Sequence, residues 1–572
     1  MLLRKYFIRM FLLMSLMKPL GIAAQKSVGL LDIDLEKIAE GYNLVFPSNQ
    51  QNVYLLDNCG DVVHVWEDES NFVPGNSVYL DSNGILYKAK RSVDVDLNDT
   101  DIAAAGAGGV IELRDWDNQL IYSRTFNNSV ERAHHDISVM PNGHVLVVLW
   151  VKINRDAVIA AGRDVSSFTD VNLWSESIIE IDPINDSIVW RWDAWDHLVQ
   201  DFDPVKSNFG EIEDNPQLID INYDQSDLGG RDDWLHINSI DYNENLDQIL
   251  VSVPFFNEIW VIDHSTTTLE AKSHEGGNSN MGGDLLYRWG NPATYRKGLQ
   301  SNQKLFFQHD ANWITDNDKS KTLISVFNNR IDSNYSAGVI LEPSFDSETK
   351  AYKFEDGLFM PNDFSAIVTH PDSISLHSTG LSSFQILSNG NFLLLSGRQG
   401  TLFELTPENE VVWHYVMPYK NGHRVNYDAN LNLDDNIMFK ATRYPHNFGG
   451  LIDMEFSSFG PLEIGNQESP LCESIVSTSE IDENSYGNGI IVFPNPIEDF
   501  FIIKVNEEFR NSTKINRVNL YNSIGQLVDS VEIRSYNKSE IRVDMVPLKS
   551  GVYFVECESQ TLKTINKVYF QK

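Results

Sequence analysis

Cations are scarce in this chain. It carries 44 Lys and Arg against 81 Asp and Glu, for a net charge of −37. Such a surface repels phosphate backbones and anionic lipid, which excludes nucleic acid as a partner. Long apolar runs are also missing. After the first 24 residues, nothing approaches the roughly 20 apolar residues that a membrane span requires. There are only three cysteines, Cys59, Cys472 and Cys557, too few for a disulfide framework in 572 residues. A bond between Cys59 and Cys472 would staple the two ends of the large central region. No lysine-bearing glycine loop of the phosphate-binding type is present.

What the chain does have divides it into four regions. Arg4, Lys5 and Arg9, the apolar run Met10 to Met17 and the small residues Gly21, Ala23 and Ala24 read as a signal peptide over 1–24. The stretch 25–471 is strand-like. Residues 472–490 are rich in Ser, Glu and Asn and read as a linker. Residues 491–572 alternate apolar and polar positions, as in Phe500 to Val505 and Gly551 to Glu556, and are expected to form a small β-sandwich.

The large region repeats two elements. One is a strand ending on an aromatic residue, as at Trp66, Trp190, Trp289 and Trp413. The other is a strand, a tight polar turn and a second apolar strand, as in Ser77 to Lys90 around Asn83-Gly84 and His135 to Trp150 around Asn142-Gly143. Asn-Gly between apolar runs specifies a hairpin. Four further units begin at His236, His309, His377 and His423. Six units over about 420 residues predict an all-β chain with a six-bladed β-propeller.

Five of the six units open with histidine: His135, His236, His309, His377 and His423. The innermost strand of each blade lines the propeller axis, so these imidazoles are expected at the channel mouth. Asn238 and Asn312 follow within three residues. In an extended strand, residues i and i+2 share a face, which would aim His236 and Asn238 alike. Arg330 and Arg443 end outgoing strands and can return to the same mouth. Imidazole serves as nucleophile, acid, base or metal ligand. Guanidinium favours a tetrahedral oxyanion, so the set points to an oxyanion ester.

At these residues the chain resembles the bacterial aryl-sulfate sulfotransferase family. The likeness is carried by Asp233-Trp234-Leu235-His236-Ile237-Asn238, Glu258-Ile259-Trp260-Val261-Ile262-Asp263, Tyr287-Arg288-Trp289-Gly290-Asn291-Pro292 and Gln308-His309-Asp310-Ala311. The resemblance implies nucleotide-independent transfer of a sulfuryl group between phenols, through a sulfated histidine. It implies aryl sulfates and phenols as partners and no cofactor or metal. By motif it places His236, His309, Arg330 and Thr442 in the catalytic set; their neighbours Asn238, Asn312 and Arg443, with Arg398, are expected from their positions to face substrate. The family's sulfated histidine falls near Leu394 to Thr401, a stretch with no histidine here. Arg398 occupies that neighbourhood and His377 is the nearest candidate. An inactive propeller acting as a surface binding module is the alternative.

The last region resembles the C-terminal sorting domain of type IX secretion substrates, on Val492-Phe493-Pro494-Asn495-Pro496, Leu520-Tyr521-Asn522-Ser523-Ile524-Gly525-Gln526 and Leu548-Lys549-Ser550-Gly551-Val552-Tyr553. It implies the type IX machinery as a partner, and export through the periplasm and outer membrane to the cell surface or medium.

Overall fold

In a computed structural model, the described residues are 26–465, apart from 69–71, 93–101, 103–104, 167–171, 224–232, 315–321, 333–334 and 453, together with Cys472 and the strands between 490 and 570. The signal peptide and most of the linker lie outside them. The chain divides into two compact units, Met1–Leu471 and Cys472–Lys572. Both are built of strands. The only described α-helix is the six-residue Arg155–Ala160.

Six sheets of four or more strands make up the first unit. The second to sixth follow chain order. Their first strands are Phe72–Leu80, Glu131–Val139, Ser239–Asn243, His309–Ile314 and Ser383–Ile386. The first sheet joins the two ends of the unit. Ala441–Tyr444 pairs antiparallel with Tyr42–Val45, which leads on to Val53–Leu56 and Val62–Trp66. The unit beginning at His423 is therefore not a strand–turn–strand repeat. His423 lies exposed in a two-residue hairpin strand, and Ala441–Tyr444 enters the ring alone. Local alternation cannot reveal a pairing 400 residues apart, as between Asn43 and Arg443.

The first strands of successive sheets pack on one another in order, and Tyr42–Val45 packs on Phe72–Leu80, which closes the ring. These strands have no ladder partner on their inner side, so their buried amides need other acceptors. Side chains of the neighbouring sheet supply them. Asp136 Oδ2 accepts from Ile240 N–H at 3.4 Å, Asp241 from Trp313 N–H at 2.8 Å, Asp310 from Phe384 N–H at 2.6 Å and Gln385 from Arg443 N–H at 2.8 Å.

The repeated tryptophans seal the outer strands. Trp66, Trp190, Trp289 and Trp413 all lie on the fourth strand of a sheet and are buried. Each indole N–H reaches beyond its own sheet: Trp413 to Asn58 O at 2.8 Å, Trp66 to Asp115 O at 3.1 Å, Trp190 to Thr266 Oγ1 at 3.2 Å and Trp289 to Pro361 O at 2.6 Å. A large apolar body with one donor suits that position. Cys59 and Cys472 are disulfide-bonded, and Cys557 is buried and free.

The second unit has a three-stranded sheet built on Ile490–Phe493, Phe500–Val505 and Glu540–Asp544. Its four-stranded sheet holds Leu527–Glu532, Ile515–Asn522, Gly551–Ser559 and Lys563–Phe570.

Candidate functional site

Three of the five imidazoles that open repeat units meet. His135 and His236 stand with ring centroids 4.4 Å apart at 73°. His309 joins them across Phe439, whose ring lies 5.9 Å from His135 and 6.2 Å from His309. The backbone does the aiming. His135 and His236 hold φ of 52° and 59°, a left-handed conformation that histidine tolerates better than β-branched residues do. The turn lifts both imidazoles off the regular strand pleat. It also breaks the expected alignment of His236 with Asn238. The Asn238 side chain is buried and donates to Gln308 O at 2.8 Å, linking two sheets.

Each imidazole is held by its own partners. The Nδ1–H of His236 donates to Asp233 at 2.5 Å, which leaves Nε2 with no hydrogen bond among the described residues. Phe255 stacks on the ring at 4.6 Å. His135 Nδ1 lies 2.7 Å from His134 Nδ1, and His134 Nε2 lies 2.7 Å from Glu176. This buried line can run in two directions. With Glu176 ionised, His135 Nε2 is a bare lone pair. With Glu176 protonated, the donors reverse and His135 Nε2 carries hydrogen. Burial and the nearby Asp233 raise the Glu176 carboxyl well above the usual range. A side chain at Gly106 would meet His135 Nε2 at 2.0 Å, so only glycine admits the ring there.

His309 is satisfied on both nitrogens. Nδ1–H donates to Asn329 Oδ1 at 2.8 Å, and Nε2 accepts from Leu381 N–H at 3.2 Å. This neutral tautomer fits its pKa, lowered to about 4 by burial, with the nearby His236 adding to the effect. An unfolded imidazole binds a proton below about 6.5, whereas the folded one refuses it until about 4, so its contribution to stability is lost as pH falls through that window. At about 1.4 kcal/mol per pH unit, His309 alone removes about 3 kcal/mol between neutral pH and 4. His309→Gln should therefore show a shallower acid loss of stability than the wild type in urea titrations at pH 7 and 4.5.

Arg330 flanks this cluster. Its guanidinium lies 4.0 Å over the Phe307 ring and donates to Thr379 O at 3.3 Å. Phe307 in turn meets Phe255 at 6.4 Å, which stacks on His236, and its carbonyl accepts from His309 Nδ1–H at 3.1 Å. Arg398 reaches the same threonine, donating to Thr379 Oγ1 at 2.7 Å, while Asp434 pairs with the rest of its guanidinium and raises its pKa. Burial and Arg398 lower the Arg330 guanidinium below its usual range. Two guanidiniums thus bracket Thr379, beside an aromatic wall and three imidazoles.

The remaining expected residues lie elsewhere. Thr442 and Asn312 line a cavity of about 750 Å³ with Tyr79, Asp241, Asp310 and Lys440, farther along the inner strands. Arg443 is buried between sheets. It pairs with Glu404, donates to Asn43 Oδ1 at 2.8 Å and lies 4.6 Å over Trp413. His377 caps the 3-10 turn Ser373–Leu376 and makes no ring contact with the other histidines among the described residues. Sequence reasoning missed His134, Glu176, Asp233 and the three phenylalanines. Asp233, three residues before His236, and Glu176, a charge in mid-strand, were the visible signals.

Fold and mouth together define a closed ring of antiparallel sheets whose mouth gathers imidazoles and guanidiniums. The chain belongs to the arylsulfotransferase (ASST) family, which residues 32–414 match. Membership points to aryl sulfotransferase activity. Residues 491–571 match the secretion system C-terminal sorting domain, so the protein is exported to the cell surface or medium. No helix among the described residues is long and apolar enough to cross a membrane. No curated protein matches the sequence. Among solved structures, a protein of unknown function from Bacteroides caccae shares 11% identity over 66% of this chain and 94% of its own, at TM-score 0.35. The virginiamycin B lyase from Staphylococcus aureus shares 10% over 69% and 90%, at TM-score 0.30.

Proposed function

We propose that this protein moves a sulfuryl group from an aryl sulfate to a phenol, without a nucleotide donor, at the mouth formed by His236, His309 and Arg330. On this reading the six sheets of 25–471 are the blades of a six-bladed propeller. The signal peptide over 1–24 and the sorting domain, a small β-sandwich after the linker at 472–490, deliver it outside the cell through the type IX machinery.

The observation that carries the reading is His236 Nε2, bare because Asp233 takes the other nitrogen, on a ring stacked against Phe255, which meets the Phe307 ring that Arg330 covers. Attack of Nε2 on sulfur forms an S–N bond and breaks the S–O bond to the donor, and phenolate leaves. Phenol has a pKa of about 10, so proton donation assists it. His135 supplies that proton when its relay to Glu176 runs toward it. An acceptor phenol then loses its proton to the relay and takes the sulfuryl group, restoring His236. Arg330 and Arg398 steady the sulfuryl oxygens; a fixed donor of this kind is worth about 3 to 4 kcal/mol. Phe255 and Phe307 receive the aryl ring.

One observation favours the binding-module alternative. Arg398 stands where the family carries its sulfated histidine, and Asp434 neutralises it. Incubation with 4-nitrophenyl sulfate, with and without a phenol acceptor, separates the readings. Nitrophenol release that depends on acceptor is the expected result. Release without acceptor marks a sulfatase, and silence from folded protein marks the binding module.

A further inference from the structure

A second cluster lies away from the inner strands. His197 follows the turn Ala194–Asp196 at the end of the third sheet, and His274 and Asp284 belong to the connection into Leu285–Trp289 of the fourth. His197 Nδ1 lies 2.8 Å and His274 Nδ1 2.7 Å from the same carboxylate oxygen, Asp284 Oδ1. The His197 ring is fully buried and Trp192 stacks on it.

The tautomer is the telling feature. His197 Nε2 lies 2.9 Å from Ala271 O, and a carbonyl only accepts, so Nε2 carries the hydrogen. In a neutral imidazole that leaves the Nδ1 lone pair facing a carboxylate oxygen. Metal-binding histidines are oriented in this way, with the far N–H on a backbone carbonyl and the near nitrogen bare. Gly283 makes the orientation possible, because a Cβ there would meet His197 Nε2 at 2.6 Å and Ala271 O at 2.1 Å.

We propose that His197, His274 and Asp284 bind a divalent transition ion of the zinc class. Two imidazoles and one carboxylate are borderline donors that suit zinc better than calcium or magnesium. Zinc bonds of about 2.0 to 2.1 Å require ligand edges of roughly 3.3 Å. Each pair would open by about half an ångström, which the exposed His274 can accommodate. The three ligand atoms already lie within 4.8 Å of one another. A cavity of about 500 Å³, lined by Trp195, Asp196, Asn208, Asn215 and His274, borders the exposed ligand. Asp196 Oδ2 is buried there with no hydrogen-bond partner. The ion would tie the connection before Leu285 to the end of the third sheet.

Full-length protein stripped with chelator and dialysed against Zn²⁺ should retain one ion per chain by elemental analysis and melt at a higher temperature than the stripped form. His274→Ala removes an exposed ligand with little packing, so it should fold, bind at least tenfold more weakly and lose the thermal shift. His236→Ala should keep the ion, which separates this cluster from the imidazoles of the mouth. No retained zinc in the wild type overturns the proposal. Full retention in His274→Ala, or loss in folded His236→Ala, also overturns it.

Discussion

His236→Ala is expected to lower kcat for aryl sulfate about 10³-fold while the protein remains folded, as judged by an unchanged unfolding cooperativity. His236 pairs an Nδ1–H held by Asp233 with an unengaged Nε2, whereas His135 Nε2 is bare only when Glu176 is ionised and His309 engages both nitrogens. Removing a positioned base or nucleophile of this kind typically costs 10² to 10⁴ in rate. The fold should bear the change because the His236 side chain keeps 13% exposure and its stacking partner Phe255 also meets Phe307. His309→Ala should also abolish transfer, but for a different reason: His309 engages both nitrogens and orders the Leu381 turn. Retention of more than a tenth of the wild-type kcat/KM in His236→Ala would remove His236 from the chemistry.

The largest effect on stability is expected at Lys440. Its ammonium lies 2.7 Å from Asp310 Oδ1, 3.6 Å from Asp136 Oδ2 and 2.7 Å from the Tyr79 hydroxyl. The contact with Asp310 pairs charges without hydrogen-bond alignment. All four groups are buried or nearly so. Burial opposes the charge on Lys440, but Asp136 and Asp310 outweigh it and hold its pKa well above the usual value. Lys440→Met leaves two buried carboxylates without a cation, and breaking such a pair costs about 3 to 5 kcal/mol. A pKa raised in the folded state contributes stability below the unfolded value of about 10.5 and loses it as pH rises beyond, so the wild type keeps the benefit at neutral pH. Denaturant midpoints at pH 7 measure the loss. Adding Asp310→Asn to Lys440→Met should recover part of it. A Lys440→Met protein as stable as the wild type would overturn this expectation.

Much of the architecture was legible. Asn83-Gly84 and Asn142-Gly143 turn hairpins where the sequence predicts them. The terminal tryptophans Trp66, Trp190, Trp289 and Trp413 fall on the fourth strands of four of the six sheets, where an indole seals one sheet against its neighbour. The site was legible only in part. His135, His236 and His309 share a repeat position, and that periodicity carried them to one mouth. His377 and His423 share it in sequence but not in space. The sixth sheet starts at Ser383, after a 3-10 turn that sets His377 aside, and the strand that closes the ring begins at Ala441, well past His423. Arg443 reads like Arg330, at the end of a strand beside an inner position. It instead meets Glu404 in the core, because a buried charge requires a partner and Glu404 faces it.

Composition, alternation and turn chemistry determined by themselves that this chain is nearly all-β, acidic and built from repeated sheets, since each of those signals acts over a few residues or over the whole chain. The tertiary structure decided which histidines converge, which nitrogen each one leaves bare, and that Lys440 sits between Asp136 and Asp310. Those outcomes depend on left-handed backbone turns and on packing between strands tens to hundreds of residues apart, and no local pattern encodes such contacts.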